Sequence, residues 1–192
     1  YRPGGSALNA GQAGAARAAQ FIARNCQGSP VDIEKFKNAV FEKLDRATAL
    51  CDLVTGEGNN VSGIRYNAAK RMSRVGAAIR DRAGIKKSFQ DIVRISDRSQ
   101  LPEVYRLYDM LICQYVYLSA MADYAGNGGK SRGSALYSDA KGNPPHESLP
   151  EIFKFTLDDG SRGDLVQEVK YAEGKCSFNW RKVRPIPKED DF

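Results

Sequence analysis

The chain has 192 residues, 42% of them apolar and 27% charged, with a net charge of +6. That length carries one domain with a substantial core, or one domain plus a small appendage, and the composition is ordinary for a globular protein. No apolar run approaches the roughly 18 residues that a membrane-spanning helix needs, and the first residues lack the basic, apolar and small-residue order of a signal peptide.

The opening stretch, residues 1–14, is a glycine-dense loop that runs into an alanine-rich helix expected from about Asn9 to Asn25. Arg2, the flexible Gly4-Gly5 pair and a helix N-terminus together form a cradle for an anion or a cofactor, because unpaired amide N–H groups and the helix dipole point the same way. The second wall of such a cradle has no strand or loop within this chain, so the sequence reads as the C-terminal piece of a larger protein. A second helix is expected from Ser29 as N-cap and Pro30 at the first position, with Val40, Leu44, Ala47 and Cys51 as a buried stripe. It stops in the loop Thr55-Gly56-Glu57-Gly58-Asn59-Asn60. A third helix carries Ile64, Ala68, Met72, Val75 and Ile79 on one face and most of its arginines on the other, closed by Gly84. A shorter helix from Lys86 to Ser96 follows, then the longest, from Leu101 to about Tyr124. Its residues Val104, Tyr108, Leu111, Tyr115, Leu118 and Ala122 keep the spacing of a bundle helix. Residues 126–150 are rich in Gly, Ser, Asn and Pro and read as a loop excursion. Alternation then takes over: Phe153, Phe155 and Leu157, a turn at Asp158-Asp159-Gly160-Ser161, then Leu165 to Tyr171 and Cys176 to Val183. The expected fold is mainly α, a bundle of three to five helices with a small C-terminal antiparallel β appendage. The expected segments are 1–28, 29–126 and 127–192.

Four cysteines, Cys26, Cys51, Cys113 and Cys176, lack paired spacing, and the single histidine, His146, sits in a proline-rich loop. Reduced, buried thiols are expected rather than a metal site, which points to the cytoplasm. His146 has no triad-like neighbours and reads as a loop residue. The net charge is local: the ten basic and three acidic residues between Ile64 and Arg98 make that segment +7 and leave the rest −1. The plain reading is a solvated helix face. The functional readings are a surface for an acidic protein, an acidic substrate or nucleic acid, the last weakened by the near absence of stacking aromatics beyond Tyr66 and Phe89. The tyrosines at 105, 108, 115, 117 and 124 read as core and rim packing.

Three stretches carry a resemblance. Arg2-Pro3-Gly4-Gly5-Ser6-Ala7-Leu8-Asn9-Ala10-Gly11, running into Ala18-Ala19-Gln20-Phe21-Ile22-Ala23, resembles the last FAD-binding segment of the succinate dehydrogenase and fumarate reductase flavoprotein family. Ser131-Arg132-Gly133, with Asp139 after it, resembles the family's Glu-Ser-Arg-Gly loop, and the Trp180 hairpin resembles the tail that follows. The middle resembles that family's helical bundle. The resemblance implies an FAD-dependent oxidoreductase, with Arg2 as the catalytic-site arginine that clamps a substrate carboxylate. It also implies that Gly4, Gly5, Ser6, Ala7 and Leu8 hold the flavin, Ala7 and Leu8 at its pyrimidine end, and that Arg132 is structural or interfacial. Lys130, Ala135 and Ser6-Ala7 depart from the family pattern, which points away from a respiratory succinate dehydrogenase and towards a looser relative. The implied partner is an N-terminal FAD-binding portion, with an electron-transfer protein as a candidate for the basic face. The alternative is a non-enzymatic helical module that binds an acidic protein or nucleic acid through residues 65–98.

Overall fold

In the computed structural model, which describes residues 6–26, 28, 32–85, 92–133 and 135–185, helix α1 spans Ser6–Asn25 and helix α2 spans Ile33–Val54. The N-cap expected at Ser29, and Pro30 with it, lie outside the described residues. Asp32 does the capping instead, its Oδ1 accepting the amides of Glu34 and Lys35 at 3.1 Å each.

The chain divides after Leu50 into two compact units, whereas the segment boundaries drawn from composition follow the loop-rich stretches at 28 and 126. In the first unit no described side chain is buried. The expected buried stripe of α2 is corrected here: Leu44 is 54% exposed and Val40 is 39% exposed. Ala47 and Cys51 are only half-covered. The spacing is that of an apolar face, but no described residue of the first unit buries it. Leu8, Phe21, Ile22, Phe36 and Phe41 are likewise exposed.

The second unit holds the core. Helix α3, Val61–Val75, lays Val61, Ile64 and Ala68 against helix α5, Leu101–Gly126, which contributes Val104, Leu107 and Leu118. Gly76 ends α3, its amide bonding the Met72 carbonyl at 2.9 Å, and not Gly84. Ile79 is therefore not on the helix face expected for it. It stands exposed on a two-residue strand β1, Ile79–Arg80, before the single turn α4, Arg82–Ile85. Residues 92–95, expected as helix, are extended and clamped onto the loop after α2. The Ile95 amide bonds the Val54 carbonyl at 2.9 Å, and Asn60 grips the strand from both sides, to the Ile92 carbonyl at 2.8 Å and from the Arg94 amide at 2.7 Å. Val93 and Ile95 are buried by this clamp. A helix there would turn one of them away from the core, so pairing wins over local propensity. A 3₁₀ turn, Arg98–Gln100, leads into α5, whose second position is Pro102.

The glycine-rich excursion after α5 contains strand β2, Leu136–Asn143, which pairs in parallel with β1, Ile79 against Leu136 and Arg80 against Tyr137. Tyr137 is 1% exposed and packs with Ile85 and Ala125 as a second cluster. Phe155, also buried, crosses β2 at Ser138 and Asn143, close enough that a Cβ on Gly142 would collide with the Phe155 carbonyl. The appendage itself is the hairpin β3, Leu165–Ala172, with β4, Lys175–Lys182, antiparallel in register Leu165 to Lys182. Its two-residue turn is Glu173-Gly174, both at positive φ, 51° and 76°, the hand that matches strand twist. The fold is mainly α with this small C-terminal antiparallel sheet, and no helix among the described residues is long and apolar enough to cross a membrane. The cysteines correct a further expectation: all four are unpaired, but Cys26 and Cys113 are exposed and Cys51 and Cys176 only half-covered.

Candidate functional site

Of the residues expected at the cradle, Arg2, Gly4 and Gly5 lie outside the described residues. Helix α1 starts at Ser6, earlier than the spacing of apolar residues suggested, so Ser6, Ala7 and Leu8 form its first turn. The amides of a first turn have no acceptor within their own helix. No acidic residue occupies this one, so no side chain of the turn itself offsets the positive end of the helix dipole. The Leu8 side chain is 69% exposed.

The Ser131-Arg132 loop forms one wall of a cleft of about 310 Å³, lined by Arg80, Tyr117, Tyr124, Lys130, Arg132 and Tyr137 among others. Ser131 is buried: its amide bonds the Thr156 carbonyl at 2.7 Å and its Oγ accepts the Tyr137 amide at 2.8 Å. That pair of bonds sets the start of β2. Arg132 makes a reciprocal backbone pair with Ala135, and its half-exposed guanidinium reaches Asp158 at 3.9 Å and the Arg162 carbonyl at 3.4 Å. Lys130 pairs with Asp159, whose carboxyl is held well below the usual carboxylate range by the Lys130 ammonium and by Ser161. Asp139 accepts the Lys141 amide at 2.9 Å and the Thr156 hydroxyl at 2.8 Å, and these bonds lower its pKa. Arg82 completes the network, donating to the Gly129 carbonyl at 3.2 Å and to Thr156 Oγ1 at 3.4 Å. Tyr137 lies under both Arg80 and Arg82, whose guanidinium carbons are 5.7 and 6.0 Å from its ring centroid. The cleft is therefore aromatic with cationic edges, each of whose cations already has a partner within the chain. It offers binding and packing, and among the described residues it sets no nucleophile beside a base.

The basic segment is less of a face than its sequence implies. Arg71 donates to Gln114 Oε1 at 2.6 Å, and Arg80, Arg82 and Arg94 all donate to backbone carbonyls. Arg98 meets Asp52 at 3.4 Å. Lys86 and Lys87 lie outside the described residues. Arg65, Lys70 and Arg74 are exposed on α3, with Lys70 over the Tyr66 ring at 5.8 Å. His146 lies on an exposed turn, its Nδ1 2.7 Å from Ser148 Oγ. Among the described residues no group of three or more His, Cys, Asp and Glu side chains is arranged to share a metal ion.

Sequence reasoning missed β2 and the inward arginines. The alternation of Tyr137 and Asp139 between Gly133 and Gly142 is the signal for the strand, masked by the glycines around it. Nothing local marks an arginine that turns inward. Comparison with protein-family models, with curated proteins and with solved structures finds no match.

Proposed function

We propose that this chain is the C-terminal portion of an FAD-dependent oxidoreductase of the fumarate reductase and succinate dehydrogenase type, which works in the cytoplasm. The observation that carries the proposal is the junction at Ser6: in the sequence Arg2 and the Gly4-Gly5 pair run directly into a first helical turn free of acidic residues. The fit to a flavin rests on that turn, since unpaired amides and an unneutralised dipole favour the negative charge that a flavin collects at its pyrimidine end. FAD supplies hydride exchange with a dicarboxylate-like substrate. Arg2 orients that substrate and balances its charge, and the backbone of Gly4, Gly5, Ser6, Ala7 and Leu8 holds the isoalloxazine edge. The exposed apolar side chains of α1 and α2, Phe21, Ile22, Phe36, Phe41 and Leu44, agree with a partner surface such as an N-terminal FAD-binding portion. The alternative, a module binding nucleic acid or an acidic protein through residues 65–98, has less support, and so has an electron-transfer partner there. Arg71, Arg80, Arg82, Arg94 and Arg98 are all engaged within the chain.

The test is reconstitution. The 192-residue chain mixed with FAD and desalted should come through colourless, and co-production with an FAD-binding portion should give a yellow complex. In that complex Arg2→Ala should keep its flavin but lose about 100-fold or more in kcat/KM for a dicarboxylate, the scale for removing one oriented charge-stabilising donor. Flavin retained by this chain alone, or an Arg2→Ala complex as active as the parent, would overturn the proposal.

A further inference from the structure

No residue of the aromatic cleft belongs to the flavin cradle expected at α1, and all the cleft's lining residues lie in the second unit. One wall is a face of α5: Tyr117, Ala120, Met121 and Tyr124 stand at i, i+3, i+4 and i+7 and share one side of the helix. The other brings Arg80 from β1 and Tyr137 from β2. Ala120 is short, and the space left is about 310 Å³, a size that small organic ligands occupy.

The rings are fixed before any ligand arrives. Tyr124 lies between Trp180 and Tyr137, 5.9 Å from each ring centroid, and its hydroxyl donates to the Lys130 carbonyl at 3.0 Å. Tyr117 is 62% exposed, an open aromatic face at the rim. The three cations differ in their partners. Lys130 is paired with Asp159, and Arg132 faces Asp158 at 3.9 Å, so each has a carboxylate of its own. Arg80 is held only by neutral groups, its Nε donating to the Ala77 carbonyl at 2.9 Å and its Nη1 to the Tyr137 hydroxyl at 3.3 Å. Its backbone is pinned by β2 pairing and by the Ser138 hydroxyl, which donates to its carbonyl at 3.1 Å. A guanidinium carries five N–H donors, so these two bonds leave the rest of the Nη1–Nη2 edge for a further acceptor. No acidic side chain lines the cleft among the described residues, and Ser134, which lies outside them, is uncharged by its identity.

We propose that this cleft binds a small aromatic monocarboxylate, its ring against Tyr117 and Tyr124 and its carboxylate on Arg80. The planar fork matches two carboxylate oxygens, and ring-to-ring contact adds what an aliphatic acid cannot make. One negative charge is the number that Arg80 balances; a second would have to displace Asp158 or Asp159 from its partner. The positioned rings and guanidinium lower the ordering cost of binding.

The test is calorimetric titration of the full chain with three probes. These are 2-naphthoate, cyclohexanecarboxylate, which keeps the charge without the ring, and 2-naphthalenemethanol, which keeps the rings without the charge. Naphthoate should bind at one site and each of the others about tenfold more weakly or worse. Added salt should weaken the acids and spare the alcohol. Arg80→Gln should weaken naphthoate about tenfold or more and leave the alcohol unchanged, which separates a lost charge contact from a collapsed cleft. Tyr117→Ala, at an exposed position, should weaken both naphthalenes about threefold or more with an unchanged circular dichroism spectrum. Arg65→Ala, exposed on α3 and outside the cleft, should bind all three as the parent does. The proposal is overturned by absence of naphthoate binding, or by cyclohexanecarboxylate binding as tightly. Parent-like naphthoate affinity in Arg80→Gln or Tyr117→Ala, or loss of the alcohol in a folded Arg80→Gln, overturns it as well. No flavin enters these titrations, so any of those results leaves the reading at Arg2 and Ser6 untouched.

Discussion

Asp123 on α5 is the point at which the β hairpin is held. Its Oδ2 accepts the Trp180 indole N–H at 2.9 Å and the Gln167 side-chain amide at 2.8 Å, from β4 and β3 respectively. Around this point Tyr124 stacks with Trp180 at 5.9 Å between ring centroids, and the Arg162 guanidinium lies 4.3 Å from the indole centroid with its Nε lacking a hydrogen-bond partner. Asp123→Ala removes the acceptor and keeps the rings. The Trp180 N–H is left without a partner, while Gln167 keeps its bond to the Ala120 carbonyl at 2.9 Å and loses the one to Asp123. At about 1–1.5 kcal/mol for each lost bond to the carboxylate, the change costs about 2–3 kcal/mol. With a urea slope of about 2 kcal/mol per molar, the midpoint should fall by about 1–1.5 M. Trp180 is the only tryptophan of the chain, so its fluorescence reports this docking directly. Asp123→Asn retains an acceptor oxygen and should cost less than about 1 kcal/mol. An Asp123→Ala midpoint equal to that of the parent, or equal losses in the two variants, would refute the assignment of the anchor to hydrogen bonds at Asp123.

Three further outcomes follow from other contacts. Gln114→Leu removes the bridge between the Ala68 carbonyl and Arg71 and should cost about 1–2 kcal/mol, read as a fall of roughly 3–6 °C in Tm by calorimetry. Gly142→Ala drives a methyl into the Phe155 backbone, which cannot step aside as a side chain would. It should destabilise by about 3 kcal/mol or more, visible as soluble protein that loses its near-ultraviolet dichroism at lower denaturant. The acid limb has a definite sign. Asp97, Asp139, Asp159 and Glu168 all have folded pKa values lowered, by Ser99, by the Lys141 amide, by Lys130 and by Arg181 in turn. A lowered folded value contributes stability above the unfolded pKa, near 4, and loses it as pH falls through the folded value. Helical dichroism should therefore hold down to about pH 4 and decay below it. Asp159→Asn should make that decay shallower, and an unchanged acid limb in this variant would count against the Lys130–Asp159 pair.

The candidate site was legible in part. Glycines followed by small helix formers located the start of α1 to within a few residues. The first-turn amides at Ser6 to Leu8 follow from that location alone. The role of Ser131 was not legible, because it depends on Thr156 and Tyr137 arriving from elsewhere. The arginines were misleading for the same reason. Their count forecast a +7 face, yet a guanidinium on a long stem turns inward whenever a carbonyl or a tyrosine ring is within reach, as Arg80 and Arg82 do at Tyr137.

By itself the sequence determined the elements whose cause is local. Helical spacing placed α3 and α5, and period-two alternation placed β3 and β4. Tertiary structure decided which faces are covered. The same apolar spacing is buried in α3 and bare in the early part of α2, since periodicity says where an apolar stripe lies and not what meets it. It also decided that Ile79 leaves the helix for β1 and that residues 92–95 run extended. In both cases backbone hydrogen bonds to a distant segment, through the Ala78 carbonyl to Leu136 and through Ile95 to Val54, outweigh a helical preference of a few tenths of a kcal/mol per residue (~0.5).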